Sequence, residues 1–111
     1  MLHWSPATRI YLGCGVTDMR LGYRGLYGQV QTVLGEDPTS GHVFVFCNRR
    51  RNRIKVYYWD GSGFWICAKR LEKGCFSWPS EGQQTISADA LAMLLGGLEW
   101  PRAKSKNWYR K

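Results

Sequence analysis

Between His42 and Lys69 the chain reads HVFVFC, NRRRN, RIKVYYW, DGSG and FWICAK. Three runs rich in β-branched and aromatic residues are separated by two short polar breaks. Such runs read as strands, and breaks this short join antiparallel neighbours. This centre leaves few options, because a sheet with an apolar face must bury it against another layer. The expected strands are His42–Cys47, Arg53–Trp59 and Gly63–Lys69, with a fourth at Cys75–Trp78 after the break RLEKG.

Setting Trp59 opposite Phe64 and Cys47 opposite Arg53 gives a register. It places Phe44, Phe46, Ile54, Val56, Tyr58, Trp65 and Cys67 on one face, the expected core. The other face then carries Val43, Val45, Arg53, Lys55, Tyr57, Trp59, Phe64 and Ile66, with cations at one end and rings at the other. A slip of one residue would exchange the two faces for the strand that slipped.

The flanks supply the covering layer. Thr8 to Leu12 reads as a short strand, broken by Gly13-Cys14-Gly15. Thr17 is expected as a helix N-cap, with Asp18 favouring the helix dipole. Met19, Tyr23, Leu26, Val30, Val33 and Leu34 then recur at helical spacing, and Gly35 ends the run. Gly22, Gly25 and Gly28 form a slim stripe expected to pack closely. Near the C-terminus Ser87 is expected as an N-cap, with Ile86 and Leu91 as its hydrophobic staple. Leu91, Leu94, Leu95 and Leu98 make the buried stripe. The expected fold is therefore α+β: an antiparallel β-meander of four to five strands packed with two helices over residues 1–100. A flexible basic tail is expected over residues 101–111.

Charge narrows the partners. The chain has 16 Lys plus Arg against 8 Asp plus Glu, a net +8. Such a surface attracts polyanions. Arg49, Arg50, Arg51, Arg53 and Lys55 fall within seven residues, and the tail adds Lys104, Lys106, Arg110 and Lys111. Lys and Arg at phosphates provide most non-specific nucleic-acid affinity, and rings such as Tyr57 or Trp59 can stack on unpaired bases. The competing expectations are that the basic segment meets an acidic protein, or that Val43, Val45, Ile66, Tyr57 and Trp59 form a docking face with aromatic anchors for a protein partner.

Chemistry is not signalled. The histidines, His3 and His42, form no nucleophile–base set with any Ser or Cys. The eight acids show no pattern converging on a metal, and there is no Gly-rich phosphate loop. Cys14, Cys47, Cys67 and Cys75 include no C-x-x-C pair and read as reduced, mostly packed thiols. No enzyme, metal or cofactor is expected. No apolar run approaches the roughly 20 residues of a membrane span, and the N-terminus lacks a signal-peptide pattern, so a cytoplasmic protein is expected.

GVTDMRLGYRGL (Gly15 to Leu26), the block from Gly35 to Pro79, and LAMLLGGLEW (Leu91 to Trp100) occur in this order. Together they resemble the accessory protein, often called TnpB or Orf2, of the insertion-sequence-66 family of bacterial transposable elements. The resemblance implies a non-catalytic factor that assists DNA transposition, while a separate, larger transposase carries the catalytic acids. DNA and that transposase are the implied partners, and a homo-oligomer is a further option.

Overall fold

The computed structural model describes residues 7–79 and 83–96. Five strands and two helices follow in the order β1 (Ile10–Gly13), α1 (Tyr23–Thr32), β2 (Val43–Cys47), β3 (Arg53–Trp59), β4 (Phe64–Arg70), β5 (Gln83–Ile86) and α2 (Ala88–Leu95). The strands form one sheet in the order β4-β3-β2-β1-β5. The fold is α+β, as expected, but the meander is limited to β2-β3-β4. β1 runs parallel to β2, and β5 returns antiparallel to β1. A parallel pair needs a long crossover, and α1 supplies it.

Two apolar clusters lie on opposite faces of the sheet. Ile10, Leu12, Val43, Val45, Cys47, Ile54, Val56 and Tyr58 pack with Phe76, Leu91 and Leu94, so α2 covers this face. Tyr11, Phe44, Phe46 and Tyr57 pack with Leu26, Val30 and Leu34, so α1 covers the other. The architecture is three layers, helix on sheet on helix. β2 is buried at every position, as a central strand covered on both sides must be.

The expected register holds for one hairpin and slips for the other. Trp59 does face Phe64. Cys47, however, faces Ile54, and Asn48 takes the place opposite Arg53, donating its N–H to Arg53 O at 3.2 Å. The shift sends Phe44 and Phe46 to the α1 face and Val43 and Val45 to the α2 face. Side-chain locking of the loop is the cause. Asn48 Oδ1 accepts from the N–H groups of Asn52 (3.1 Å) and Arg53 (3.0 Å), and Asn48 Nδ2 donates to Asn52 Oδ1 at 2.8 Å.

Three further expectations are corrected. Cys75–Trp78 is not a strand but part of a strap running from β4 toward β1. Its polar groups bond to strand ends and loops: Phe76 N–H donates to Arg51 O (2.6 Å), Trp78 Nε1 to Gly13 O (3.1 Å), and Pro79 O accepts from Gly15 N–H (3.4 Å). Thr17 does not cap a helix; it is buried and donates its N–H to Cys47 O at 2.9 Å. α1 starts six residues later, after an extended Gly22 with no side-chain cap. Of the expected glycine stripe only Gly25 is closely packed: a Cβ there would lie 2.7 Å from the Leu21 side chain, whereas at Gly22 and Gly28 it would meet nothing. Gly13, outside the stripe, is as tight, 2.7 Å from the Phe46 ring.

Other signals hold. Ser87 Oγ accepts from Ala90 N–H at 3.0 Å, and Ile86 packs onto the same cluster as Leu91. Gly35, at φ +66°, closes α1 with Glu36 N–H donating back to Val30 O at 3.0 Å, the exit that favours glycine. No disulfide links the four cysteines; Cys47 is buried and Cys75 exposed.

In the β3–β4 turn, Asp60 accepts from Ser62 N–H, Gly63 N–H and Trp65 Nε1 (2.8 to 2.9 Å). Those bonds, chiefly the one from Ser62 N–H, hold its carboxyl down to about 2. A depressed carboxyl stabilises the fold fully above its unfolded value near 4, and that contribution is lost as pH falls toward 2. An NMR titration should show the Asp60 carboxyl and the Trp65 indole N–H moving together near pH 2, while ordinary carboxyls titrate near 4.

Candidate nucleic-acid interface

The Asn48–Asn52 loop, the Val16–Arg20 segment and the end of β4 meet at one edge of the α1 face. They enclose an open concavity of about 600 Å³ lined by Arg20, Arg49, Arg50, Arg53 and Arg70, with Asp18 the sole acid on its wall among the described residues. A smaller hollow of about 310 Å³ shares Met19, Arg53 and Arg70 and extends toward Lys55 and Ala68. Pairing explains the convergence. Arg53 faces Arg70, and Lys55 faces Ala68, so all four project from the α1 face of the β3–β4 hairpin.

The cations differ in what already holds them. Arg49, Arg50 and Arg53 are exposed and have no carboxylate partner among the described residues. Arg20 lies against Asp18 through Nε and Nη2 at 2.8 to 3.2 Å. Those bonds, with a second from the Arg20 N–H, hold the Asp18 carboxyl down to about 2. The pair is open to water, with the Arg20 side chain 91% exposed, so it contributes little to stability. Arg70 pairs loosely with Glu72 at 3.4 Å.

Several expected contact residues are withdrawn from the surface. Arg51 has φ +61° and donates Nη1 to Gly15 O at 2.6 Å and Asn48 O at 3.4 Å. It is a clamp between the loop and the chain after β1. Lys55 Nζ donates to Leu21 O at 2.8 Å and ties down the segment before α1. Tyr57 is fully buried, with its hydroxyl donating to Tyr23 O at 3.0 Å and its ring stacked on Phe64 at 4.9 Å. It cannot stack on a base. Trp59 is half-buried and tilted against Phe64. It also lies six residues along β3 from Arg53, roughly 20 Å, so rings and guanidinium groups do not share one nucleotide.

The expected docking face is likewise closed. Val43, Val45 and Tyr57 are core residues at 0% exposure, and Ile66 is half-buried. Lys104, Lys106, Arg110 and Lys111 lie outside the described residues. Sequence reasoning missed Arg20 and Arg70, which reach the concavity only through folding. The signal available for Arg70 was its place opposite Arg53 once Trp59 is set against Phe64.

Among the described residues no three His, Cys, Asp or Glu side chains could together hold a metal ion. Burial pushes the Cys47 thiol up, away from a reactive thiolate. Nor is any helix among these residues long and apolar enough to cross a membrane.

Fold and surface thus define a small three-layer α+β domain with an arginine-lined concavity at one end of its sheet. The sequence profile of the IS66 Orf2-like proteins matches residues 8–105. The chain belongs to this family, whose members are accessory proteins of IS66 transposable elements. Two similar chains come from Sinorhizobium fredii (strain NBRC 101917 / NGR234). The uncharacterized protein y4hO is 39% identical over 110 residues, covering 97% of this chain and 95% of its own. The uncharacterized protein y4jC is 37% identical over 108 residues, covering 96% and 92%. No solved structure matches the chain.

Proposed function

We propose that this domain assists transposition by holding DNA through the concavity of Arg20, Arg49, Arg50, Arg53 and Arg70. One observation carries the reading: five guanidinium groups from three segments face one hollow against a single carboxylate. Such a surface is costly in self-repulsion, and among the described residues no carboxylate pairs with Arg49, Arg50 or Arg53 to offset it. A guanidinium fork matches phosphate oxygens in bidentate geometry, and among the described residues the lining of the concavity offers guanidinium and amide groups without an aromatic ring, which favours backbone contact over base stacking. The implied ligand is duplex or single-stranded DNA held by its phosphates. The transposase of the same element is the partner to which the DNA would be presented.

A salt titration of the full chain on element-end DNA tests this. If about four phosphates are neutralised, log affinity should fall with log salt at a slope near −3 to −4. The triple variant Arg49→Ala/Arg50→Ala/Arg53→Ala should keep its fold and make the slope shallower by about 2 to 3. A slope near zero in the parent, or one unchanged in the triple variant, would remove the proposal. Retained pull-down of the transposase with no DNA affinity would favour the docking alternative.

A further inference from the structure

β4 is an outer strand of the sheet. It pairs with β3 one-to-one over seven residues, so no bulge interrupts it. Asp60 N–H donates to Gly63 O and Leu71 N–H to Asn52 O, which fixes the alternation of the ladder. Trp65, Cys67 and Lys69 exchange bonds with β3, whereas Phe64, Ile66, Ala68 and Arg70 turn their N–H and C=O groups outward. Among the described residues no backbone group from elsewhere meets them. Natural edges are protected by charge, proline, bulges or a covering segment. Among the described residues the stretch Phe64–Ala68 has none of these, and Trp65 is 50% exposed.

We infer that a second copy of this chain pairs antiparallel along β4, about a two-fold axis at Cys67. The inference is independent of the DNA reading. Centring on Cys67 engages all four outward-facing residues. Ile66 then exchanges bonds with the partner's Ala68, and Phe64 with the partner's Arg70. A register shifted by one step in either direction leaves an outward-facing residue unpaired. Charge also selects this arrangement. Lys69, whose Nζ donates to Leu95 O, and Arg70, loosely paired with Glu72, crowd one end of the strand, and antiparallel pairing sets this end beside the partner's Trp65 and Phe64, away from its cations. Pairing in the parallel sense would stack like charges. A two-fold interface of this kind is self-complementary and closed.

Two consequences follow. Cys67 meets its own copy at a non-hydrogen-bonded position, where Cα atoms approach to roughly 4.5 Å, within disulfide reach. Both α1 faces, and so both arginine concavities, point the same way from one ten-stranded sheet.

The test uses the full chain with Cys14→Ser and Cys75→Ser. Sedimentation should show twice the monomer mass at micromolar concentration. Copper–phenanthroline oxidation should join Cys67 to Cys67, identified by mass spectrometry, and Cys67→Ser should abolish the cross-link. Ala68→Pro removes only an outward N–H, so its circular dichroism should match the parent while dimerisation weakens by about 30-fold or more. Each copy carries +8, so dimerisation should strengthen with salt, opposite to the DNA slope; the two proposals therefore fail separately. A monomer at 100 µM protein, or a dimer that survives Ala68→Pro without a Cys67 cross-link, would overturn the inference. So would an edge that accepts only an added extended peptide.

Discussion

Tyr57→Ala should lower the stability of the domain by about 3–5 kcal/mol, without any direct effect on a DNA contact. The side chain is fully buried between β3 and α1. Truncation removes the ring stacked on Phe64, the packing under Leu26 and Val30, and the hydroxyl bond to Tyr23 O. A loss of this size is a large fraction of the roughly 5–15 kcal/mol that holds a typical domain together. Tyr57→Phe keeps the ring and should cost only about 1 kcal/mol. Denaturant melts of the three proteins give the ranking. Burial, and after it the neighbouring Tyr27, pushes the phenol up to about 12. Its protonated form therefore stabilises the fold fully below pH 10, and the contribution is lost as pH rises through 12. Burial raises the Tyr58 phenol as well, so absorbance at alkaline pH should show delayed ionisation at Tyr57 and Tyr58, and Tyr57→Phe should remove the Tyr57 part of it. Equal stability of Tyr57→Ala and the parent, with DNA affinity lost, would restore Tyr57 as a surface residue.

The second large effect falls on Arg51, and its sign separates architecture from binding. Arg51→Ala deletes a short charge-assisted bond to Gly15 O and a weaker one to Asn48 O, a loss of about 2–3 kcal/mol. Alanine also keeps the unfavourable left-handed backbone at φ +61°. Arg51→Gly loses the same bonds but relieves that backbone, and should be more stable than the alanine variant by about 1 kcal/mol. In both, the salt slope of DNA binding should stay at the parent value, because Arg51 faces away from the concavity. A slope shallower by about 1 in each variant would return Arg51 to the phosphate-contacting set.

These two residues show where sequence reasoning stops. Arg49, Arg50 and Arg51 are adjacent and identical in type, so composition treats them alike. The left-handed turn at Arg51 sends one guanidinium inward and leaves two in water. Tyr57 was legible as facing the same side as Arg53 and Lys55, and it does. Whether that side was open could not be read, because α1 covers the ring end and leaves the arginine end bare. The parallel β1–β2 pairing was hidden for a related reason. Nothing local in TRIYL or HVFVFC marks which neighbour a strand chooses, and the crossover is decided by where α1 packs.

What the chain determined by itself was local. Apolar runs separated by short polar breaks set the β2-β3-β4 meander, DGSG set the register of Trp59 against Phe64, and Ser87 and Gly35 set helix ends. These depend on contacts within a few residues, where backbone preference and short hydrogen bonds decide. Tertiary structure alone decided the burial of both sheet faces and the gathering of Arg20 and Arg70 beside the arginine loop, while the one-residue slip of β2 also draws on the Asn48 lock beside it. In a central strand with apolar side chains at every position, either register buries a hydrophobic face. The choice passes to groups outside the strand, namely the Asn48 lock in the adjoining loop and the helices on each side, and so cannot be made by the strand's own sequence.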